Sequence, residues 1–129
     1  MKIIADASVF LAVVLNEPEK QQIIEKTKGA EIISSEVLPY EIGNALIAML
    51  KRKRLTKEEI KQSYSIFEMI PVGLFSADIQ TSLEIASTFN IYAYDAYYLE
   101  LAQKLNLPLL TLDKQMKENA QRLNIKIVE

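Results

Sequence analysis

Lys2-Ile3-Ile4-Ala5-Asp6-Ala7-Ser8 opens the chain with a short apolar run, an acid, a small residue and a hydroxyl. Lys2 to Ala5 is rich in β-branched residues and reads as a strand that Asp6 ends. Ala7-Ser8 then leads into an apolar helical stretch, Val9 to Leu15, with Ser8 the better helix cap. A strand handing directly to a helix is the first half of a β-α-β unit. The pattern returns near the far end, where Pro108 to Leu112 reads as a buried strand and Asp113 opens a short helix.

The residues between repeat the alternation. Pro18 suits the first turn of a second helix and Gly29 its stop. Glu31 to Ile33 reads as a strand, and Ser34-Ser35 as the cap of a long helix running to Arg54. Thr56-Lys57-Glu58-Glu59 is a capping-box pattern, opening a helix that should stop before Pro71. Pro71 to Leu74 is a third strand, Ser76 the cap of a helix to Phe89, and Asp95 to Leu105 a further helix. Ile125 to Val128 is the last strand. Strands alternating with helices predict an α/β fold on a mainly parallel sheet.

The length of 129 residues predicts one domain, residues 1–129, with no internal boundary or repeat. Half of the residues are hydrophobic, while Gly (3) and Pro (4) are few, which leaves no room for long linkers. The longest apolar run, Val9 to Leu15, is far short of the roughly 18 residues of a membrane span. The first residues lack the charged and apolar regions of a signal peptide, so the expected location is the cytoplasm. The absence of Cys excludes thiol nucleophiles, disulfides and thiolate metal sites. The absence of His excludes the Ser-His-Asp triad, histidine bases and the usual zinc sites. Any metal must be held by oxygen, which suits Mg²⁺, Mn²⁺ or Ca²⁺. A net charge of −2 is not that of a protein that binds nucleic acid by overall charge.

The chain has four aspartates, Asp6, Asp78, Asp95 and Asp113. Asp6 and Asp113 follow strands, where open α/β sheets bind ligands. Glu41 sits four residues after Val37 and four before Ala45, at or inside the apolar stripe of the long helix. Asp95 begins a helix on the side carrying Tyr98, Leu99 and Ala102. Each has a plain alternative: a helix cap for Asp95 and Asp113, a salt bridge or a watered edge for Glu41. One cause covers all four, since carboxylates brought together repel one another and a divalent cation relieves the repulsion. Asp78 fits the first turn of a helix, where an acid complements the dipole. Glu17, beside Pro18, reads as surface helix-start chemistry, with an outer ligand role as the alternative.

Four segments together resemble the PIN domain, and within it the VapC-like toxin ribonucleases of toxin–antitoxin pairs. They are Ile4-Ala5-Asp6-Ala7-Ser8, Glu41-Ile42-Gly43-Asn44-Ala45-Leu46, Tyr94-Asp95-Ala96-Tyr97-Tyr98-Leu99-Glu100-Leu101-Ala102 and Leu110-Thr111-Leu112-Asp113. The resemblance covers nearly the whole chain. It implies a three-layer α/β/α sandwich with a parallel sheet of about five strands. It implies that Asp6, Glu41, Asp95 and Asp113 form the acidic site, both catalytic and metal-holding, for Mg²⁺ or Mn²⁺. Ser8 and Thr111 would then be polar supports. It also implies an RNA substrate, a protein antitoxin that covers the site, and a homodimer. Some relatives carry a further Asp after the last acid, where this chain has Lys114.

With no His to serve a 2′-hydroxyl route, hydrolysis by water is expected, leaving a 5′-phosphate and a 3′-hydroxyl. Lys51-Arg52-Lys53-Arg54 is the one basic run and reads first as cations at a helix C-terminus, second as guidance for RNA. Tyr92, Tyr94, Tyr97 and Tyr98 can stack on bases, although Tyr94 and Tyr98 suit a core or a subunit interface better. Val9 to Leu15 is either a buried core helix or a contact for a second subunit or an antitoxin. Two rivals remain. A signalling receiver domain needs adjacent acids near the first strand and a Lys closing a late strand, and neither is here. A non-catalytic RNA- or protein-binding module of the same fold has no evident reason to keep four acids.

Overall fold

Strand β1 (Lys2–Ala5) is the centre of the molecule, in a computed structural model that describes residues 1–129. It pairs in parallel with β2 (Glu31–Ser35) on one side and β4 (Leu109–Leu110) on the other, and β2 pairs with β3 (Gly73–Phe75). The order is β3-β2-β1-β4, all parallel. Ile4 faces Ile33 across one ladder and Leu109 across the other. Beyond β4 the expected last strand is reduced to one parallel bridge, Leu109 to Ile127. β4 is only two residues long, so it offers little ladder for a neighbour to extend.

Strand alternation divides the core between two faces. Ile3, Ala5 and Leu110 point into one layer with α1 (Ala7–Val14), α2 (Lys20–Thr27), α3 (Leu38–Lys51) and α4 (Lys57–Glu68). Ile4, Ile33 and Leu109 point into the other, with α5 (Ile79–Phe89), α6 (Ala93–Leu105) and α7 (Lys114–Arg122). The result is the expected α/β/α sandwich. Val9, Phe10, Ala12 and Val14 are buried in the first layer, so α1 is a core helix. No helix is long and apolar enough to cross a membrane.

The capping box forms as its sequence predicts: Thr56 Oγ1 accepts from the Glu59 N–H and Glu59 Oε1 from the Thr56 N–H. Other boundaries differ from expectation. Ser34 and Ser35 are strand residues, not the cap of α3; buried Ser34 donates to the Ala5 carbonyl at 2.7 Å. That carbonyl belongs to the neighbouring strand, which no local pattern reveals. Asp78, not Ser76, caps α5 by accepting from the Thr81 N–H, and Ser76 donates to Glu36. Helix α3 stops at Lys51 because Lys53 turns left-handed, at φ 59°. The Arg54 and Lys53 N–H groups bond back to Met49 and Leu50 in a Schellman closure. Lys51 to Arg54 is exposed there, the helix-terminus reading of the basic run.

Candidate active site

The chain leaves β1 toward β2 and β3 on one side and returns to β4 on the other, so a topological switch point lies between β1 and β4. Ligands of open α/β sheets bind outside the carboxyl ends of the strands at such a point. Asp6 follows β1, and Thr111 follows β4. The Asp6 side chain is 5 % exposed and is gripped from both sides. Ser8 Oγ donates to Oδ1 at 2.6 Å and Thr111 Oγ1 donates to Oδ2 at 2.5 Å. Each hydroxyl in turn accepts a backbone N–H, Ser8 from Leu112 and Thr111 from Asp113. Asp6 is the residue before α1, yet its carboxylate makes no capping bond, and Ser8 serves Asp6 rather than the helix end.

Glu41 lies half-buried in the first turn of α3, on the first face of the sheet. Tyr98 is buried among the residues of the opposite layer, and its phenol donates to Glu41 Oε1 at 2.5 Å. The bond joins the two helical layers beyond the end of the sheet. Asp95 is half-buried in the first turn of α6, one turn before Tyr98. Asp113 is exposed and caps α7, its Oδ1 accepting the Met116 N–H at 3.1 Å. The cap expected of Asp113 therefore forms, whereas Asp95 is not a cap: Tyr92 holds that position in α6 and Asp95 lies inside the first turn without a capping bond. All four acids sit at the N-cap or in the first turn of a helix, where the helix dipole favours negative charge.

These carboxylates feel one another. Burial pushes the Asp6 carboxyl up to about 6, its hydrogen bonds oppose that rise, and the Asp95 charge adds to it. Burial also raises Glu41, against the Tyr98 hydrogen bond and with the charges of Asp95 and Asp6. Asp95 is raised by burial and by Asp113. Tyr98 is held protonated, by burial first and then by the Glu41 charge. No Lys or Arg offsets the cluster, since the one ion pair in the molecule joins Lys104 to Glu100. An oxygen-only, uncompensated donor set fits a hard divalent cation. No three of the acids stand close enough to enclose one by themselves. Mg²⁺ does not need such a cage, being held commonly by one or two carboxylates with water and substrate phosphate.

Glu17 is exposed and apart from this arrangement, and Asp78 has its own capping role. The sequence reading missed two members. Tyr98 was expected to pack in a core or interface, or to stack on a base, not to hold an acid, and Ser34, which braces the end of β1, was taken for a cap. The signal available for Tyr98 was its place one turn after Asp95 on the same helix face.

The sequence matches the PIN domain family over residues 3–121. The chain belongs to the PIN domain family. Among its relatives, Ribonuclease VapC3 of Pyrobaculum aerophilum is 28 % identical over 123 residues, 92 % of this chain and 94 % of that protein. A VapC ribonuclease of Mycobacterium bovis is 30 % identical over 127 residues, 92 % of this chain and 91 % of that one. A solved structure of VapBC2 from Rickettsia felis, bound to a DNA fragment from their promoter, has the same fold. Its TM-score is 0.69 at 14 % identity, covering 98 % of this PIN domain and 97 % of that chain.

Proposed function

We propose that this PIN domain is a divalent-metal-dependent endoribonuclease, the toxin of a toxin–antitoxin pair. The observation that carries the reading is the cluster of Asp6, Glu41, Asp95 and Asp113 at the switch point, buried in part and without a basic partner. The ribonuclease names of its relatives support the substrate class. Mg²⁺ or Mn²⁺ held by these acids would supply Lewis acidity, activating water and offsetting charge on the phosphate.

The chain's own residues supply the rest. Ser8 and Thr111 fix both oxygens of Asp6, and Tyr98 fixes one oxygen of Glu41. Such fixed acceptors need no reorganisation when substrate arrives. Four helix N-termini face the same region and favour an incoming phosphate. Glu41 or Asp95, both with raised proton affinity, accepts the proton of the attacking water. The P–O bond to the 3′ oxygen breaks, that oxygen takes a proton from solvent water and departs as a hydroxyl, and the 5′ side keeps the phosphate. Binding of an antitoxin over the acids, and pairing with a second copy of the chain, complete the proposal, with the cytoplasm as the place of work.

The test is cleavage of a labelled RNA panel in Mg²⁺ and in Mn²⁺ by wild type and Asp6→Asn. The expected result is cutting that needs the metal, stops in chelator, is lost in the variant and leaves 5′-phosphate ends. A 2′,3′-cyclic phosphate product overturns the mechanism, and equal inactivity of both proteins on every RNA overturns the enzyme. One observation favours a second reading, a non-catalytic binding module: no three acids enclose a cation. That reading expects metal and RNA binding with no hydrolysis.

A further inference from the structure

A groove of about 300 Å³ runs from the acidic cluster between α1, the first turns of α3 and the start of α6. Ala7 and Leu11 of α1 line it, together with Glu41 and Ala45 of α3. Tyr40 and Tyr94 stand along it, 79 % and 54 % exposed. Tyr94 is not loose: its ring meets Tyr97 edge-on, with centroids 6.0 Å apart and planes at 77°. Asn44, also exposed, adds a carboxamide that both donates and accepts.

We propose that this groove is a nucleobase subsite, in which the base beside the scissile phosphate stacks on Tyr94 or Tyr40 and Asn44 reads its edge. The inference rests on the ribonuclease reading and deepens it. Position supports it first: Glu41 belongs to both the cluster and the groove, so a group in the groove lies beside the reacting phosphate. Chemistry supports it second. The only charged lining residue is the Glu41 carboxylate, which repels a phosphate and tolerates a neutral ring. Two exposed phenol rings beside an apolar lining of Ala7, Leu11 and Ala45 suit a flat heterocycle, and every base has a face to stack. The chain has a net charge of −2, so charge alone cannot hold RNA, and stacking beside the site supplies what charge does not. A base can enter only when unpaired, which makes the substrate single-stranded or looped RNA.

The experiment is a cycle of kcat/KM values on a single-stranded RNA that wild type cuts at one position. The RNA is intact or has one abasic nucleotide stepped past the cleavage point. The proteins are wild type, Tyr94→Ala, Tyr40→Ala and Tyr94→Phe. Stacking on one base changes affinity by about 5- to 150-fold. A loss in that range is expected for one abasic position next to the cut, and a similar loss on intact RNA for at least one alanine variant. Combining the two should cost less than about twofold more than either alone, because both remove the same contact. Tyr94→Phe should keep most of the activity. Losses that multiply, or alanine variants that cut intact RNA like wild type, overturn the subsite and leave the groove to a protein partner. Wild type that cuts no RNA overturns the ribonuclease reading itself, a result distinct from either.

Discussion

Asp6 is ionised at neutral pH while almost wholly buried, and that tension has a measurable sign. Its carboxyl moves from the ordinary 3.8 to about 6 in the folded protein. The folded state therefore holds this proton more tightly than the unfolded chain does. The resulting stability is fully present below about 3.8 and is lost as pH rises through about 6, a loss on the order of 3 kcal/mol. In chelator, the melting temperature should fall as pH rises between those values, and Asp6→Asn should flatten the trend. Melting of both proteins across that range by circular dichroism tests this; identical slopes would contradict it. Tyr98→Phe makes a second prediction at this scale. It keeps the packing and removes the phenol that holds Glu41. Mn²⁺ affinity measured by calorimetry should weaken by about 10- to 150-fold, the cost of one hydrogen bond to a charged group. An unchanged affinity would make Tyr98 a packing residue alone.

At the scale of elements, each site acid shares its position with a helix end, and the two roles can be separated. Asp113 caps α7 through the Met116 N–H. Asn caps as well as Asp, whereas Ala does not. Asp113→Asn should therefore melt within about 0.5 kcal/mol of wild type while losing RNA cleavage, and Asp113→Ala should lose about 1 kcal/mol as well. Chemical denaturation beside a cleavage assay reads both. An asparagine variant that still cuts RNA would leave Asp113 as a cap only. The capping box of α4 provides the converse. Thr56→Ala removes the acceptor of the Glu59 N–H, at a helix end outside the acidic cluster. It should cost about 1 kcal/mol of stability and leave the product pattern intact.

For the molecule as a whole, the carboxylates close together the ends of β1 and β4 and the starts of four helices, without a basic residue to balance them. A cation that binds only the folded state must then stabilise it, by about 2.7 kcal/mol at a hundredfold excess over its dissociation constant. Addition of Mn²⁺ at pH 7 should raise the melting temperature of wild type and not that of Asp6→Asn. A metal-insensitive wild type would count against the metal site. The order of strands and helices was legible in the chain because it rests on short-range pattern: period-two strands, capping residues, and an acid where a strand stops. Thr56 and Glu59 form their box because both partners lie within one turn. What lay beyond reach was set by partners distant in sequence. Ser34 looks like a cap until the Ala5 carbonyl, 29 residues away, takes its proton. Tyr98 looks like core until Glu41, 57 residues away, accepts from it across the end of the sheet. The sequence by itself determined which residues could do chemistry, since the absence of His and Cys left little but oxygen. Only the tertiary structure decided which acids feel one another, what holds Asp6 and Glu41 still, and that a groove with two tyrosines opens beside them. Burial and long-range hydrogen bonds exist only once the layers have closed.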